Sequence, residues 1–138
     1  MKKLAITLMS ILLLASCLGL TSFGATTNRS HVEPRWSNTG AIDYVLKFRA
    51  NGSGYADIAV SGKFGVTKIE GSTTIYRQSG SSWIYVTSGS DETDDQVFEL
   101  SVPVNGISGT YYKAEFTIKV YKNGVCETIT ETYYATCP

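Results

Sequence analysis

The chain has 138 residues and a formal net charge of zero, because 12 basic side chains balance 12 acidic ones. Nucleic-acid binding asks for a basic face, so this balance argues against a nucleic-acid partner. Aromatic residues make up 12% of the chain, and β-branched residues are abundant throughout, which argues against a disordered protein.

The N-terminal segment has the pattern of an export signal. Lys2 and Lys3 form a short basic region, residues 4–20 are nearly all apolar, and the small residues of TSFGA follow. This order is typical of a bacterial signal peptide, and cleavage is predicted after Ala25. The apolar run is long enough for a membrane anchor, but no basic residue follows it directly. Residues 1–25 therefore predict a secreted, extracellular protein.

A second interpretation competes within the same segment. The letters LASC, residues 14–17, match the bacterial lipobox, in which the cysteine is lipidated and becomes the new N-terminus. Residues 18–20 continue the apolar run, whereas the chain after a lipobox is usually polar. The alternative to secretion is a membrane-anchored lipoprotein with its lipid on Cys17. Apart from the signal segment or this lipid, no membrane contact is expected.

The remaining chain is long enough for one domain with a single core. Residues 26–35 form a polar leader or a first edge strand. Residues 36–138 break into short runs with a period of two, bounded by Gly, Asn and Ser, and no run sustains a helical period. The runs are AIDYVLKFR, YADIAV, TKIEGSTTIYR, WIYVTS, QVFELSV, YYKAEFTIKV and ETITETYYA. They predict an all-β domain of seven to eight strands.

The alternation also predicts which side chains face the core. Asn51-Gly52 and Asn123-Gly124 predict hairpin turns, because both residue types tolerate a positive φ. The side chains predicted to face inward are Ile42, Tyr44, Leu46, Phe48, Ala56, Ile58, Val60, Ile69, Thr73, Ile75, Phe98, Leu100, Val102, Tyr112, Ala114, Phe116, Ile118 and Val120.

Three segments carry a resemblance to a known group of proteins. They are GSTTIYRQSGSSW, SGTYYKAEFTIKVYKNG and ETITETYYA, in residues 71–83, 108–124 and 127–135. From about Trp36 onward the chain resembles small secreted immunoglobulin-like or fibronectin-III-like sandwich proteins of Firmicutes. The resemblance implies a single antiparallel immunoglobulin-like β-sandwich over residues 36–138, and it implies no reaction. Lys113 stands where antibody domains have a cysteine, so core packing must hold the sheets together.

Two aromatic residues are predicted to be structural. The Gly-x-Tyr element at residues 109–111 is typical of a tyrosine corner, in which a tyrosine hydroxyl bonds nearby backbone. An antibody-like alignment would choose Tyr111, but strand parity favours Tyr112, which shares a face with Ala114. Trp83 follows the QSGSS turn and is predicted to pack partly against the core, beside Ile69 or Ile75.

Few residues have the spacing that catalysis or metal binding requires. His31 is the only histidine, and it lies in the leader, where no rigid frame would hold it against a nucleophile. With one histidine and no CxxC motif, a structural zinc site is not expected. The glycines sit at turns and not in a phosphate-binding loop, and no cofactor is expected. The stretch SDETDD is the densest group of oxygen ligands. It predicts either a solvated loop or a weak calcium site formed by Asp91, Glu92, Asp94 and Asp95.

The sequence favours a non-enzymatic binding or adhesion module whose partner is an unknown extracellular protein or glycan. The favouring feature is a set of tyrosines in or beside strands, which provide either a binding face or cross-strand stabilisation: Tyr76, Tyr85, Tyr111, Tyr121, Tyr133 and Tyr134. One alternative is a secreted hydrolase using outward carboxylates such as Asp43 and Asp57. Another is an interaction or inhibitor protein that pairs an edge strand with its partner.

The cysteines left after export are Cys126 and Cys137, and a secreted chain would pair them by default. No turn residue lies between them, and eleven steps of extended strand span roughly 36 Å. A disulfide requires Cα atoms within about 7 Å. No bond within the chain is therefore predicted, and Cys137, in a mobile tail, is expected to be free or to link two chains.

Overall fold

The computed structural model describes residues 36–138, and over these residues the chain forms seven β-strands. The expectations for residues 1–35, including the signal peptide, the lipid on Cys17 and the leader with His31, lie outside the described residues. The strands are β1 (Thr39–Phe48), β2 (Ser53–Gly62), β3 (Val66–Ser79), β4 (Ser82–Thr93), β5 (Val97–Asn105), β6 (Tyr111–Lys122) and β7 (Val125–Thr136).

The strands form two antiparallel sheets that face each other. One sheet has the order β1-β2-β5, and the other has the order β4-β3-β6-β7. The chain crosses between the sheets after β2, β4 and β5, and the hairpins β1–β2, β3–β4 and β6–β7 stay within one sheet. This confirms the predicted all-β, immunoglobulin-like antiparallel sandwich, with seven strands.

The core lies between the sheets and contains the side chains that the alternation assigned to it. Each of the predicted inward residues is buried or half-buried. The β6 positions are the most enclosed, because β6 is an inner strand with β3 and β7 on either side. Aromatic contacts cross the interior, with ring centroids 5.6 Å apart for Tyr44 and Phe116 and 4.8 Å apart for Phe48 and Tyr112.

The two Asn-Gly turns differ from each other. Asn123 and Gly124 both have a positive φ, of 52° and 75°, which is the two-residue primed turn that the sequence predicted. The β1–β2 connection has four residues, and only Gly52 adopts a positive φ, of 84°. Asn51 acts through its side chain instead, because its Oδ1 accepts hydrogen bonds from the amide and the hydroxyl of Ser53.

A polar clasp joins the start of β1 to the opposite sheet. On Glu127 of β7, Oε1 accepts from the amide of Ser37, and Oε2 accepts from the amides of Asn38 and Thr39 at 3.1 and 3.0 Å. The hydroxyl of Thr39 adds a further hydrogen bond of 2.8 Å. The side-chain nitrogen of Asn38, which is 5% exposed, donates to the carbonyls of Val120 and Val125. The clasp therefore closes the β1–β7 side of the sandwich.

Cys126 and Cys137, the two cysteines of residues 36–138, are free thiols, which confirms that they do not bond to each other. β7 runs without interruption between them. The expectation that Cys137 lies in a mobile tail is wrong, because it is fully buried. Its amide donates to the carbonyl of Thr110 at 2.9 Å, and its carbonyl accepts from the amide of Gly109 at 2.8 Å. A disulfide between two chains through Cys137 is therefore disfavoured, and the exposed thiol is that of Cys126.

Thr73 provides a test of the core. Its side chain is fully buried in β3, and within the described chain its hydroxyl oxygen has no hydrogen-bond partner. Because an unsatisfied buried hydroxyl is costly, Thr73→Val is expected to raise the free energy of unfolding by about 1 kcal/mol. Urea denaturation measures this change. Thr74→Val, on the outward face of the same strand, is the control and should change stability by less than about 0.5 kcal/mol; equal effects would contradict the prediction.

Candidate functional site

The outer face of the four-stranded sheet carries a group of aromatic side chains at one end. One row across the sheet holds Tyr85 of β4, Tyr76 of β3, Lys113 of β6 and Tyr134 of β7, each in register with the next. The neighbouring row toward the end of the sheet adds two further rings, from β4 and β6. We define the aromatic cluster as Tyr76, Trp83, Tyr85, Tyr111 and Tyr134.

Three of these rings form a compact triangle. The Tyr111 and Tyr134 rings stack with centroids 5.7 Å apart and planes 11° apart. The Trp83 ring lies 6.1 Å from each of them. Tyr76 and Tyr85 form a separate edge-on pair at 6.4 Å. These separations lie in the range at which aromatic side chains attract one another, so the cluster forms one ordered surface.

Lys113 lies at the centre of the aromatic cluster. Its Nζ is 4.8 Å from the centroid of the Tyr76 ring and 5.0 Å from that of Trp83, within the range of a cation–π contact. The same ammonium forms an ion pair with Glu115, and the lysine side chain is only 16% exposed. The hydrogen bond to Glu115 raises the pKa of Lys113 above its ordinary value, against the opposing effect of burial. The cluster therefore has a fixed positive charge with its counter-charge beside it.

The prediction that Trp83 packs against the core beside Ile69 or Ile75 is wrong. Trp83 pairs in register with Gln78, whereas Ile69 and Ile75 pair with Thr93 and Thr87, further along β4. Its ring contacts the outward-facing rings of the cluster and is half-buried among them. The register of the β3–β4 hairpin decides the face on which Trp83 lies.

Tyr112 occupies the position that parity favoured. It is 1% exposed, and its hydroxyl accepts a hydrogen bond of 2.8 Å from the amide of Ile107, five residues upstream. This is the geometry of a tyrosine corner. Tyr111 faces the other side and belongs to the aromatic cluster. The remaining tyrosines of the predicted set lie elsewhere: Tyr121 is at the far end of β6, and Tyr133 contacts Tyr44 at the β7 edge.

Beyond the aromatic cluster, the outer face is lined by small hydroxyl side chains. We define the hydroxyl stripe as Ser72, Thr74, Ser88, Ser90, Thr117, Thr130 and Thr132, which lie in two rows of the sheet register. Glu115 of β6 occupies the remaining position, between Thr74 and Thr132. Past the stripe, Lys68 pairs with Glu70 at 3.0 Å and with Glu92 at 2.9 Å. A shallow depression of about 400 Å³ lies there, between the stripe and these charges.

The four calcium candidates do not converge. The acidic stretch is not a loop from its start, because Asp91 and Glu92 belong to β4. Successive strand residues point to opposite faces, and Glu92 pairs with Lys68. Asp94 and Asp95 follow in the connection to β5. Among residues 36–138, no group of three or more His, Cys, Asp and Glu side chains could hold a metal ion.

Asp43 and Asp57 lie on the outer face of the other sheet. Asp43 pairs in register with Ala59, and Asp57 pairs with Val45, so the two carboxylates are diagonal neighbours on one sheet surface. Asp57 accepts a hydrogen bond of 2.6 Å from the hydroxyl of Ser101. Glycosidase chemistry requires two carboxyl groups on opposite sides of the scissile bond. A depression of about 530 Å³ is lined by Asp43, Asp57 and Glu99, but carboxylates that lie side by side on one sheet surface do not face each other across it.

No protein-family model matches the chain, and no curated protein sequence matches it. A Bacteroides uniformis β-glucuronidase structure is similar over 70% of this chain and 13% of its own, with 14% identity and a TM-score of 0.46. A calcium-binding mutant of β-glucuronidase 2 from the same organism covers the same shares, with 12% identity and a TM-score of 0.44. An Arabidopsis thaliana protein solved in solution is similar over 73% of this chain and 80% of its own, with 12% identity and a TM-score of 0.39. The chain thus spans only a small part of the β-glucuronidases.

Within residues 36–138, the structure contains no helix with the length and apolar character that crossing a membrane requires.

Proposed function

We propose that this protein is a non-enzymatic binding module that acts outside the cell and binds its ligand through the aromatic cluster. The observation that carries the proposal is the exposure of the cluster on the solvent side of the sheet. Tyr85, Tyr111 and Tyr134 are 59%, 40% and 48% exposed. Export through residues 1–25, or anchoring through a lipid on Cys17, would place this surface where an extracellular ligand is available.

Cross-strand stabilisation accounts for only part of the cluster. A pair of facing rings on adjacent strands is enough to stabilise a sheet, and Tyr76 with Tyr85 is such a pair. In the triangle, Tyr111 and Tyr134 are on the neighbouring strands β6 and β7, but Trp83 is on β4, which is next to neither of them. The triangle therefore extends beyond one pair of strands. Tyrosine and tryptophan are the side chains that binding surfaces favour, because they offer large rigid contact area at low entropic cost.

The rival function is edge-strand pairing, for which β4 and β7 are the candidate strands. Each is twelve residues long, but each also packs near a strand of the opposite sheet, β4 near β5 and β7 near β1. A hydrolase has less support, because Asp43 and Asp57 lie side by side on one sheet face. A hydrolase predicts activity that does not depend on the aromatic rings, and edge-strand pairing would rest mainly on the backbone hydrogen bonds of β4 or β7.

The test combines Trp83→Ala, Tyr111→Ala and Tyr134→Ala in one variant. The purified protein is applied to an array of immobilised extracellular glycans and proteins, and the dissociation constant of each retained ligand is measured. We expect the triple variant to weaken binding by about 100-fold or more, since central aromatic side chains dominate binding energy. Circular dichroism and urea denaturation should show that the variant is folded.

Tyr55→Ala is the matched control, because Tyr55 lies on the opposite face of the sandwich, in register with Lys47 and Pro103. It should leave binding unchanged. Binding that survives the triple variant would assign the ligand to another surface and support edge-strand pairing. A protein that binds nothing on the array would contradict the proposal.

A further inference from the structure

We infer that the ligand is a neutral glycan chain that lies along β3 and β6, from the aromatic cluster across the hydroxyl stripe to the depression beyond it. This inference rests on the proposed function and adds to it the chemistry and the direction of the ligand.

The shape of the outer face fits an extended chain. From Tyr111 to Lys119 the surface follows eight steps of β6, which is roughly 26 Å at about 3.3 Å per residue. Across the four strands it measures only roughly 14 Å, at about 4.8 Å per strand spacing. Small hydroxyl side chains lie between bulky rings at one end and long charged side chains at the other. Glu115 on β6 is the one long side chain among these hydroxyls. Along β3 and β4 the middle of the face is therefore lower than its ends, and a chain several units long can rest there beside Glu115.

The chemistry of the face matches a sugar. A pyranose ring has an apolar face of C–H groups and a rim of hydroxyl groups, and aromatic rings pack against the apolar face. Serine and threonine hydroxyls both donate and accept hydrogen bonds, as sugar hydroxyls do. A lipid or a wholly apolar ligand would cover the hydroxyl stripe without giving it hydrogen-bond partners, which is costly.

The carboxylates on this face distinguish a glycan from a proline-rich peptide, the other ligand that aromatic grooves bind. Glu70 and Glu92 lie beside the hydroxyl stripe and Glu115 lies within it, and ionised carboxylates only accept hydrogen bonds. Lysine ammonium groups donate to all three, but a carboxylate has about four lone-pair sites and can accept further donors. Sugar hydroxyls supply such donors, whereas a proline-rich chain supplies none because proline has no backbone N–H.

The charge on the face favours a neutral chain. Lys68 and Lys119 both lie near Glu70, at 3.0 and 3.8 Å, and Lys113 pairs with Glu115. Each lysine on the face from Tyr111 to Lys119 thus has a carboxylate within ion-pair distance. No ammonium is left over to attract an anionic polysaccharide. We therefore expect affinity that changes little with salt concentration, because screening acts on uncompensated charges.

The experiment measures the affinity of the purified protein for four soluble probes by isothermal titration calorimetry. Two are neutral and differ in length, a hexasaccharide and a disaccharide of β-linked glucose or N-acetylglucosamine. The others are polygalacturonate, which is anionic, and poly-L-proline. We expect the neutral hexasaccharide to bind, and to bind at least about tenfold more tightly than its disaccharide, because only the longer chain reaches the hydrogen-bonding groups of the stripe.

Paired variants locate the chain on the face. Thr74→Val with Thr117→Val removes two hydroxyls from the centre of the stripe. We expect this double variant to weaken binding of the hexasaccharide by about tenfold and to leave binding of the disaccharide almost unchanged. Ser101→Ala removes a hydroxyl from the opposite face of the sandwich. It should change neither the hexasaccharide affinity nor the disaccharide affinity.

Each outcome decides between the two proposals. Binding of polygalacturonate or poly-L-proline without binding of the neutral hexasaccharide would overturn the inference that the ligand is a neutral glycan. It would still support a binding surface at the aromatic cluster. Hexasaccharide affinity that the stripe variant leaves unchanged would overturn the inferred path. If none of the probes binds, the inference of a neutral glycan ligand is wrong. The array of glycans and proteins then decides by itself whether the aromatic cluster binds a ligand.

Discussion

Replacement of Tyr112 by alanine is expected to lower the free energy of unfolding by about 3–5 kcal/mol, the usual cost of removing a large buried aromatic side chain. Tyr112 is 1% exposed, and its ring lies 4.8 Å from that of Phe48 in the facing sheet. Tyr112→Phe keeps the ring and removes only the hydroxyl that accepts from Ile107. Its expected cost is about 1 kcal/mol, the net value of one hydrogen bond. Urea denaturation monitored by circular dichroism measures both.

The control is Tyr85→Ala, which removes a ring that is 59% exposed on the outer face. It should cost about 1 kcal/mol or less, since one aromatic pair and one exposed hydrogen bond to Ser88 are lost. If Tyr112→Ala costs no more than Tyr85→Ala, the placement of Tyr112 in the core is wrong. If Tyr112→Phe costs as much as Tyr112→Ala, the corner hydrogen bond, and not the packing of the ring, carries the stability.

The core could be predicted from the sequence because side-chain direction in a strand follows a strict period of two. β6 shows this best, since its even-numbered residues from Tyr112 to Val120 are all buried. An inner strand of a sandwich packs one face against the core and exposes the other to solvent, so apolar and polar residues alternate clearly in its sequence. The same parity placed Tyr111 and Lys113 on the outer face. It did not reveal that Lys113 lies between the rings of neighbouring strands.

The outward position of Trp83 could also be predicted from the sequence. Ile75 faces inward, so Tyr76 and Gln78 face outward by parity. Gly80 has a positive φ of 60°, and the two-residue turn at residues 80 and 81 places Trp83 opposite Gln78. Turn length fixes register, and register fixes the face. The prediction that Trp83 packs against the core was wrong because the size of a ring near a turn does not decide its face; the register across the turn does.

The length of β4 could not be read from its sequence for a physical reason. β4 is an edge strand, and most of its residues are exposed or half-buried on both faces. A strand that buries little shows no alternation between apolar and polar residues. Its end, at Asp91 and Glu92, therefore looked like a loop. The backbone bonds of β3 to residues as far as Thr93 hold it in the sheet.

The role of Glu127 could not be predicted from the sequence either, because its hydrogen-bond partners lie 88 to 90 residues away along the chain. They are backbone amides, whose positions leave no mark on residue type. Glu127→Gln keeps the size of the side chain but replaces one oxygen with an NH2 group. That group would face either the amide of Ser37 or the three donors of Asn38 and Thr39. We expect a loss of about 1.5–3 kcal/mol in the free energy of unfolding, the value of one hydrogen bond to a charged group.

The effect of Glu127→Gln should depend on pH. Burial by itself raises the pKa of Glu127, but hydrogen bonds from Thr39, Ser37 and Asn38 outweigh it, so the pKa lies below the ordinary value of 4.5. A carboxyl whose pKa is lower in the folded state contributes stability that is fully present above its unfolded pKa. That stability is lost as the pH falls through the folded pKa. The gap between the native protein and the variant should therefore be widest near pH 7 and narrow below about pH 4.5.

Urea denaturation of both proteins from pH 7 to pH 3 measures this gap. Glu99→Gln is the control, because Glu99 is exposed on the outer face of β5, and its stability should follow that of the native protein at each pH. A gap that stays constant down to pH 3 would show that the shape of the Glu127 side chain, and not its charge, holds β1 against β7. A narrowing gap would mean that acid removes the contribution of Glu127 to this closure, since the carboxylate that accepts from the amides of Asn38 and Thr39 is then neutral.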